Sequence, residues 1–345
     1  MGNWKNGELG DFVTLKRGFD LPQQKREDGQ VPIFSSSGIT GTHSTAMVKA
    51  PGVITGRYGT IGEVFYAAKD FWPLNTTLFV EDFHGNDAKF IYYFLKTLEW
   101  SKFTSASAVP GINRNTVHKE IVSLPDIETQ RRIASTLSMF DEKIKINTEI
   151  NDNLQQQAQA IYSSMFIDNP DPAWSHGHLS DLITVKYGKD HKKLADGIYP
   201  VYGSGGIMRY VERPLYNKES VLIPRKGTLN NVMYVNQPFW SVDTMFYTEM
   251  KLPNVAKFVY HFVKAKDLAS MNAGSAVPSM TTDILNAMEV VIPSASALEE
   301  FESLVAPMYE AMEANDVQSK ALSQMRDTLL PKLMSGEIDV SDIQL

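Results

Sequence analysis

Two short stretches combine residue types that can recognise an acceptor-rich, charged ligand. Arg57-Tyr58-Gly59-Thr60 and Arg225-Lys226-Gly227-Thr228 each set a guanidinium, a second polar or aromatic group and a hydroxyl on a glycine turn just after a β-branched run. Arginine forks across two acceptors of one guanine edge, while hydroxyls and backbone amides hold phosphates. A single such turn is explained as well by a tight bend with a solvated arginine. Its recurrence favours recognition. Ser35-Ser36-Ser37-Gly38 and Gly203-Ser204-Gly205-Gly206 put small polar residues where a backbone can approach a phosphate, although turn formation also accounts for them. Arg114, Lys25-Arg26, Lys189, His191, Lys192 and Lys193 add positive charge of a kind that a solvated face also carries. The candidate DNA-contact set is therefore Arg57, Tyr58, Thr60, Ser36, Ser37 and Arg114, with Arg225, Lys226, Thr228, Ser204, Lys192 and Lys193. Phe71-Trp72 and Phe239-Trp240 fit a core better than a base-stacking platform.

Catalytic patterns fail on spacing. The chain has no glycine loop ending in Gly-Lys-Ser/Thr, no His-Glu-x-x-His and no Gly-x-Gly-x-x-Gly opening a helix. Asn169-Pro170-Asp171-Pro172 lacks the adjacent prolines and the aromatic of an adenine-methyltransferase loop, and reads as a helix stop. Glu128-Thr129-Gln130 lacks a nuclease lysine, and Ser204 is not the centre of a nucleophile elbow. The pair His176-Gly177-His178 is too close for a structural zinc pattern without cysteine partners, so no metal is expected.

The elements that position the two turns come from an internal repeat. The chain has 345 residues, 43% hydrophobic and 21% charged, which exceeds one ordinary domain and excludes a disordered chain. It has no cysteine, which removes disulfide scaffolds, thiolate clusters and a cysteine nucleophile. At an offset of 168, Pro32 meets Pro200, Gly38-Ile39 meets Gly206-Ile207, Arg57 meets Arg225 and Gly59-Thr60 meets Gly227-Thr228. The register continues through Tyr66 and Tyr234, Phe71-Trp72 and Phe239-Trp240, and Ser107-Ala108-Val109-Pro110 and Ser275-Ala276-Val277-Pro278. Upstream the offset is 170, pairing Leu9, Asp11 and Gly18 with Leu179, Asp181 and Gly188. One register held through so many Gly, Pro and aromatic positions marks two copies of one unit. Between the copies Tyr58 faces Lys226, Gly62 faces Asn230 and Thr42-His43-Ser44 faces Tyr210-Val211-Glu212, so one scaffold is expected to carry two reading surfaces.

Charge follows the repeat. The formal net charge is −7, yet residues 1–125 carry 13 basic against 12 acidic side chains and 169–293 carry 13 against 11. The acidity lies in 126–168, with 4 against 7, and in 294–345, with 3 against 10. Those two segments read as long helices. Ile133, Leu137, Phe140, Ile144, Asn147, Asn151, Leu154, Ala158, Ile161 and Met165 follow one another by fours and threes, a 3.5-residue seam. Its counterpart is Phe301, Val305, Met308, Met312, Asn315, Ser319, Leu322, Arg326, Leu329 and Leu333. Antiparallel pairing would set Asn147 and Asn151 against Ser319 and Asn315, polar on polar, over about 50 Å of helix. The competing arrangement packs each helix on its own domain only.

The expected segments are a globular part at 1–125, a spacer helix at 126–168, a second globular part at 169–293, and a second helix with its tail at 294–345. Pro170 and Pro172 stop helix one; helix two carries Pro307 in its first turns and Pro331 where it should bend. Short strands such as Gly52-Val53-Ile54-Thr55 and Ser220-Val221-Leu222-Ile223, with one helix per part at Ala88 to Leu98 and Val255 to Lys266, make the fold α+β. No apolar run reaches the roughly 18 residues of a membrane span, and the N-terminus has no signal-peptide core, so a cytoplasmic protein is expected.

This twin globular-plus-helix repeat resembles the specificity subunit of a type I restriction-modification system. Leu124-Pro125 with Gln130-Arg131-Arg132-Ile133-Ala134 at the start of helix one, and Leu329-Leu330-Pro331-Lys332-Leu333-Met334-Ser335-Gly336-Glu337-Ile338 at the end, carry the resemblance over essentially the whole chain. It departs at Leu298-Glu299-Glu300-Phe301, where Gln-Arg-Arg-Ile is missing from the second copy. The resemblance implies two target recognition domains, each reading one half of a bipartite asymmetric site in double-stranded DNA. It also implies two antiparallel helices that dock two methyltransferase (modification) subunits and restriction subunits, with the seam residues Ile133, Leu137, Phe140, Ile144, Asn147, Asn151, Leu154, Met308, Met312, Asn315, Leu322 and Leu329 at the helix interface. The chain itself would be non-catalytic, with S-adenosylmethionine, ATP and Mg on the partner subunits. A coiled-coil adaptor without nucleic acid, and a hydrolase with an unrecognised site, remain the alternatives.

Overall fold

Gly52–Gly56 and Ser220–Pro224 are buried at every position, as an unbroken apolar run is when both faces of a strand are covered. Each is an inner strand of a four-stranded antiparallel sheet. In the computed structural model, which describes residues 4–104, 110–271 and 279–340, the first sheet runs Thr14–Arg17, Thr77–Asp82, Gly52–Gly56, Val64–Ala67. The second runs Ile183–Tyr187, Met245–Met250, Ser220–Pro224, Met233–Val235. A three-stranded sheet accompanies each: Gly38–His43, Val31–Ser35 and Trp72–Pro73 in one copy, Gly206–Val211, Asp196–Gly203 and Trp240–Ser241 in the other. Topology and register repeat, giving the α+β class. Ser107 to Val109 and Ser275 to Pro278 of the sequence repeat lie outside the described residues.

The helices within the globular parts, Ala88–Thr97 and Ala256–Lys264, pack on these sheets. The long helices are Ile127–Ser163 and Ala295–Met334. Helix two runs uninterrupted past Pro307, in its fourth turn, and past Pro331. No helix among the described residues is long and apolar enough to cross a membrane.

Two compact units result, 1–147 with 316–345, and 148–315. They differ from the four linear segments because the apolar helix ends enter the domain cores. In unit 1, Ile133, Ala134 and Leu137 share one cluster with Phe90, Tyr93, Leu333 and Met334. In unit 2, Ala158, Tyr162 and Phe166 join Phe258, Phe301 and Val305. Each fully buried apolar side chain contributes roughly 1.5–3 kcal/mol, so these anchors hold the helix ends on the domains.

Within each unit the helices run antiparallel. In unit 1, Arg326 donates to Asp141 at 2.6 Å, while Asn147 donates to Gln318 at 2.9 Å and to Ser319 at 3.1 Å. In unit 2, Asn315 donates to Asn151 at 2.8 Å, and Asn151 donates to the Met312 carbonyl at 3.2 Å. The seam is apolar at its ends and polar at these positions.

A polar layer joins each domain helix to the long helices, and it is repeated with exchanged chemistry. In unit 1 the Tyr93 hydroxyl donates to Asp141, which also accepts from Arg326. In unit 2 the equivalents of Tyr93 and Asp141 are His261 and Tyr309. The His261 ring, fully buried, bonds Gln159 through Nδ1 at 2.8 Å and Tyr309 through Nε2 at 2.9 Å. Nδ1–H donates to the Gln159 oxygen and Nε2 accepts from the Tyr309 hydroxyl, which fixes a neutral imidazole. Burial pushes its pKa down to about 4.

A pH dependence follows. An unfolded histidine titrates near 6.5, so between that value and about 4 the unfolded chain binds the extra proton and stability falls as pH falls. The loss, complete only below pH 4, is roughly 3 kcal/mol by linkage. Denaturant unfolding of unit 2 followed from pH 7 to pH 4.5 is expected to show this slope, and His261→Phe is expected to flatten it. An equal slope in the variant would assign the loss to other groups.

Candidate nucleic-acid interface

Both arginine turns leave the central strand at the same place. The Arg57 and Arg225 amides donate to the Thr76 and Thr244 carbonyls, each at 2.8 Å. Their own carbonyls accept from Ile112 at 3.0 Å and from Met280 at 2.9 Å. The chain then reverses through Gly59 and Gly227, with φ of +76° and +86°, a conformation an L-residue adopts only with strain. The side chains of Arg57 and Arg225 are half-buried, Tyr58 is half-buried, and Thr60, Lys226 and Thr228 are exposed.

The serine hairpins sit against these turns. A β-carbon built on Gly59 would lie 3.3 Å from Ser36 Oγ, and one on Gly227 would lie 2.6 Å from Ser204 Oγ. Ser35 Oγ accepts from the Ser37 amide at 3.2 Å and donates to the Gly38 carbonyl at 3.1 Å, leaving Ser37 exposed at the tip. In unit 2 the Ser204 carbonyl accepts from Asn231 at 2.8 Å. The structure thus brings Ser36 to the Arg57 turn and Ser204 to the Arg225 turn.

In unit 1 the turn opens onto a cleft of about 460 Å³ lined by Arg17, Arg57, Tyr58, Leu78, Ile112 and Arg114. Arg114 begins the short helix Arg114–His118, whose N-cap is Asn113. His118 Nε2 accepts from the Leu15 amide at 2.9 Å, tying that helix to the strand that ends in Arg17. Burial, then the nearby Arg114 and His84, hold the His118 pKa below its ordinary value, consistent with an acceptor ring. The Arg57 guanidinium lies 4.6 Å from the Tyr58 ring centre, and that of Arg225 lies 5.4 Å from the Tyr187 ring centre. The Arg225 guanidinium also donates through Nη1 to the Asp243 carbonyl at 3.4 Å, and a planar guanidinium held over a ring presents its remaining N–H groups to acceptors.

Other candidates fall elsewhere. Lys192 and Lys193 are exposed on the loop after Ile183–Tyr187, where Asp190 caps the Lys192 amide at 3.0 Å; that loop is not the Arg225 turn. The expected difference in surface at Thr42-His43-Ser44 is corrected in part. His43 and its counterpart Val211 are buried, and His43 accepts from the Glu27 amide, so this exchange is packing rather than reading. Phe71 and Phe239 are fully buried core residues. Asn230 bonds Asp267 at 2.9 Å. Among the described residues no group of His, Cys, Asp and Glu is arranged to hold a metal ion.

The seam residues turn inward. Ile133, Leu137, Phe140 and Asn147 are buried, and Ile144, Asn151, Leu154, Met308, Met312, Asn315, Leu322 and Leu329 are half-buried. On the unit 1 helices Met139, Ile146 and Met325 are instead exposed, at 50%, 46% and 55%. Sequence reasoning passed over Arg17 and Tyr187. Their signal was the offset of 170, which aligns them directly before the paired Gly18 and Gly188.

Comparison with known proteins agrees with this architecture. The family model described as the type I restriction modification DNA specificity domain matches residues 1–156 and again 173–301. The specificity subunit of the type I restriction enzyme MjaIX from Methanocaldococcus jannaschii is 24% identical over 307 residues, covering 75% of this chain and 71% of that protein. A putative type I specificity subunit of Mycoplasma pneumoniae is 27% identical over 364 residues, with 96% of each chain covered. In fold, the crystal structure of the type I restriction-modification S subunit from M. genitalium matches with a TM-score of 0.65 at 20% identity, covering 96% of both chains. With the family domain found twice, once on each copy of the repeat, this chain belongs to the family of type I restriction-modification DNA specificity proteins.

Proposed function

We propose that each unit reads one part of a bipartite, asymmetric double-stranded DNA target, and that the long helices carry the modification subunits. The chain performs no catalysis itself. Adenine methylation with S-adenosylmethionine, and ATP- and Mg-dependent translocation and cleavage, belong to the partner subunits, and the assembly works in the cytoplasm. The observation that carries this reading is the recurrence of the arginine turn beside a serine hairpin. The two copies share their hydrogen-bond frame and differ in the side chains they present. The small local surplus of basic residues supports weak DNA binding by the chain alone and firmer binding in complex. The exposed Met139, Ile146 and Met325 support a helix face that a partner covers.

Arg57→Ala and Arg225→Ala are each expected to weaken one half-site only, by about 1–3 kcal/mol where the arginine is bidentate to guanine. Quantitative binding of the complex to duplexes altered in one half-site at a time measures this. Equal loss at both halves would reassign these arginines to phosphate or to the fold. An assembled complex that holds no DNA would favour the coiled-coil adaptor.

A further inference from the structure

The strands that end at Arg17 and Tyr187 are the same strand twice. Thr14-Leu15-Lys16-Arg17-Gly18 aligns with Thr184-Val185-Lys186-Tyr187-Gly188. Lys16 pairs with Glu81 at 2.5 Å, and Lys186 with the equivalent Glu249 at 3.6 Å. A β-carbon on Gly18 would lie 2.2 Å from the Leu74 carbonyl oxygen, and one on Gly188 would lie 2.0 Å from that of Val242, so both strands are held at one fixed point. The lysine–glutamate pair and the glycine contact beside positions 17 and 187 are kept in both copies, while the side chains at those positions differ.

That exchange is coupled to two others. Arg17 pairs across the sheet with Leu78, and Tyr187 with Phe246. Tyr58 of the first turn becomes Lys226 in the second. In unit 2 the Tyr187 ring stands 5.0 Å from Phe246, edge to face, and carries Arg225 on its other contact. In unit 1 the aromatic beside Arg57 is Tyr58, from the turn itself, and Leu78 lines the cleft together with Arg17. Each unit therefore keeps one arginine on one ring and a second cation, but the ring and the cation trade places. Unrelated drift at three positions would not preserve that set.

We infer that positions 17 and 187 are further specificity determinants: Arg17 is a second direct reader of an acceptor-rich base edge in unit 1, whereas Tyr187 positions Arg225 in unit 2. The inference rests on the reading of the two turns as DNA contacts. Arg17 is free to act. Among the described residues its ion pair is with Asp20 at 3.2 Å, which is solvent-exposed and cheap to give up, and Asn75 also bonds Asp20. Arg17 lines the same cleft as Arg57 and Arg114. Three guanidinia there call for more than one acceptor pair, such as two neighbouring guanines, or a guanine with its phosphate. Tyr187 has no charge to offer and is half exposed, and its contact is with the reading arginine.

The test is the modified-base motif that the full chain directs, with its modification subunits, in a host read by long-read sequencing. Arg17→Ala and Arg17→Lys are both expected to relax one base position of the half-site that Arg57→Ala also disturbs, by roughly 5- to 150-fold, because lysine lacks the fork. Lys16→Ala, on the same strand, is expected to leave the motif unchanged. Tyr187→Ala is expected to relax the position lost in Arg225→Ala, and Tyr187→Phe to restore it. If Arg57→Ala relaxes its half-site while Arg17→Ala leaves motif and modification level as in wild type, the inference fails and the DNA reading stands. Uniform loss of modification with an intact motif makes Arg17 a phosphate contact and also overturns it. Absence of any motif with the wild-type chain would overturn the DNA reading itself.

Discussion

Ile144→Glu combined with Met312→Glu is expected to abolish assembly with the modification subunits while both globular parts stay folded. Ile144 and Met312 are half-buried seam residues, Ile144 in unit 1 and Met312 in unit 2. A carboxylate at such a site loses solvation and meets no cation prepared for it. In unit 1 the charge that the seam tolerates is already matched, since Arg326 pairs with Asp141, which accepts from Tyr93 as well. Another glutamate finds no such partner in the seam pattern, and the helices are expected to part at these positions. The domain cores are protected from this, because Ile133, Leu137 and Leu333 anchor the helix ends in unit 1, and Ala158, Phe301 and Val305 do so in unit 2. On the proposed reading the exposed Met139, Ile146 and Met325 belong to the partner-binding surface, which parting of the helices would distort without mutating these residues. Co-purification with size-exclusion mass reads the outcome, and near-ultraviolet circular dichroism checks the fold. Full assembly with both glutamates would remove the helix pair from the interface.

What the sequence reveals and what it hides divide along physical lines. The repeat is legible because Gly, Pro and aromatic positions tolerate little change at fixed turns and cores, so Gly59, Gly227, Phe71 and Phe239 keep their register. The helix pairing is legible because a 3.5-residue period admits one narrow stripe, and the contacts of Asn147 with Ser319 and of Asn151 with Asn315 follow from it. Contacts made by folding alone are not legible. Arg17 meets the Arg57 cleft only because Thr14–Arg17 pairs with Thr77–Asp82. Tyr93, Asp141 and Arg326 are far apart in the chain, and although Arg326 stands out as a charge in the seam, nothing in the sequence names its partners. Exposure is equally hidden in a short polar run: His43 and Ser44 look alike in sequence, yet one is buried and the other exposed.

Inserting one heptad beside Asn151 and a matching heptad beside Asn315 is expected to lengthen the unread spacer of the DNA target and leave both half-site sequences as they are. The two asparagines bond each other at 2.8 Å, so paired insertions enter the seam at one level and keep its phase. Seven residues add about 10 Å of helix. At about 3.4 Å per base pair that is roughly 3 base pairs of additional spacer. Rotation accompanies the translation, because each reader must still meet an accessible groove. The new spacer is therefore expected at the nearest length that satisfies both. A heptad in one helix alone leaves its partner unable to follow. Asn151 and Asn315 then lose their bond, buried seam positions face the wrong residues, and activity is expected to disappear. The motif of modified bases, read before and after, measures both results. An unchanged spacer after the paired insertion would mean that something other than these helices sets the separation of the half-sites.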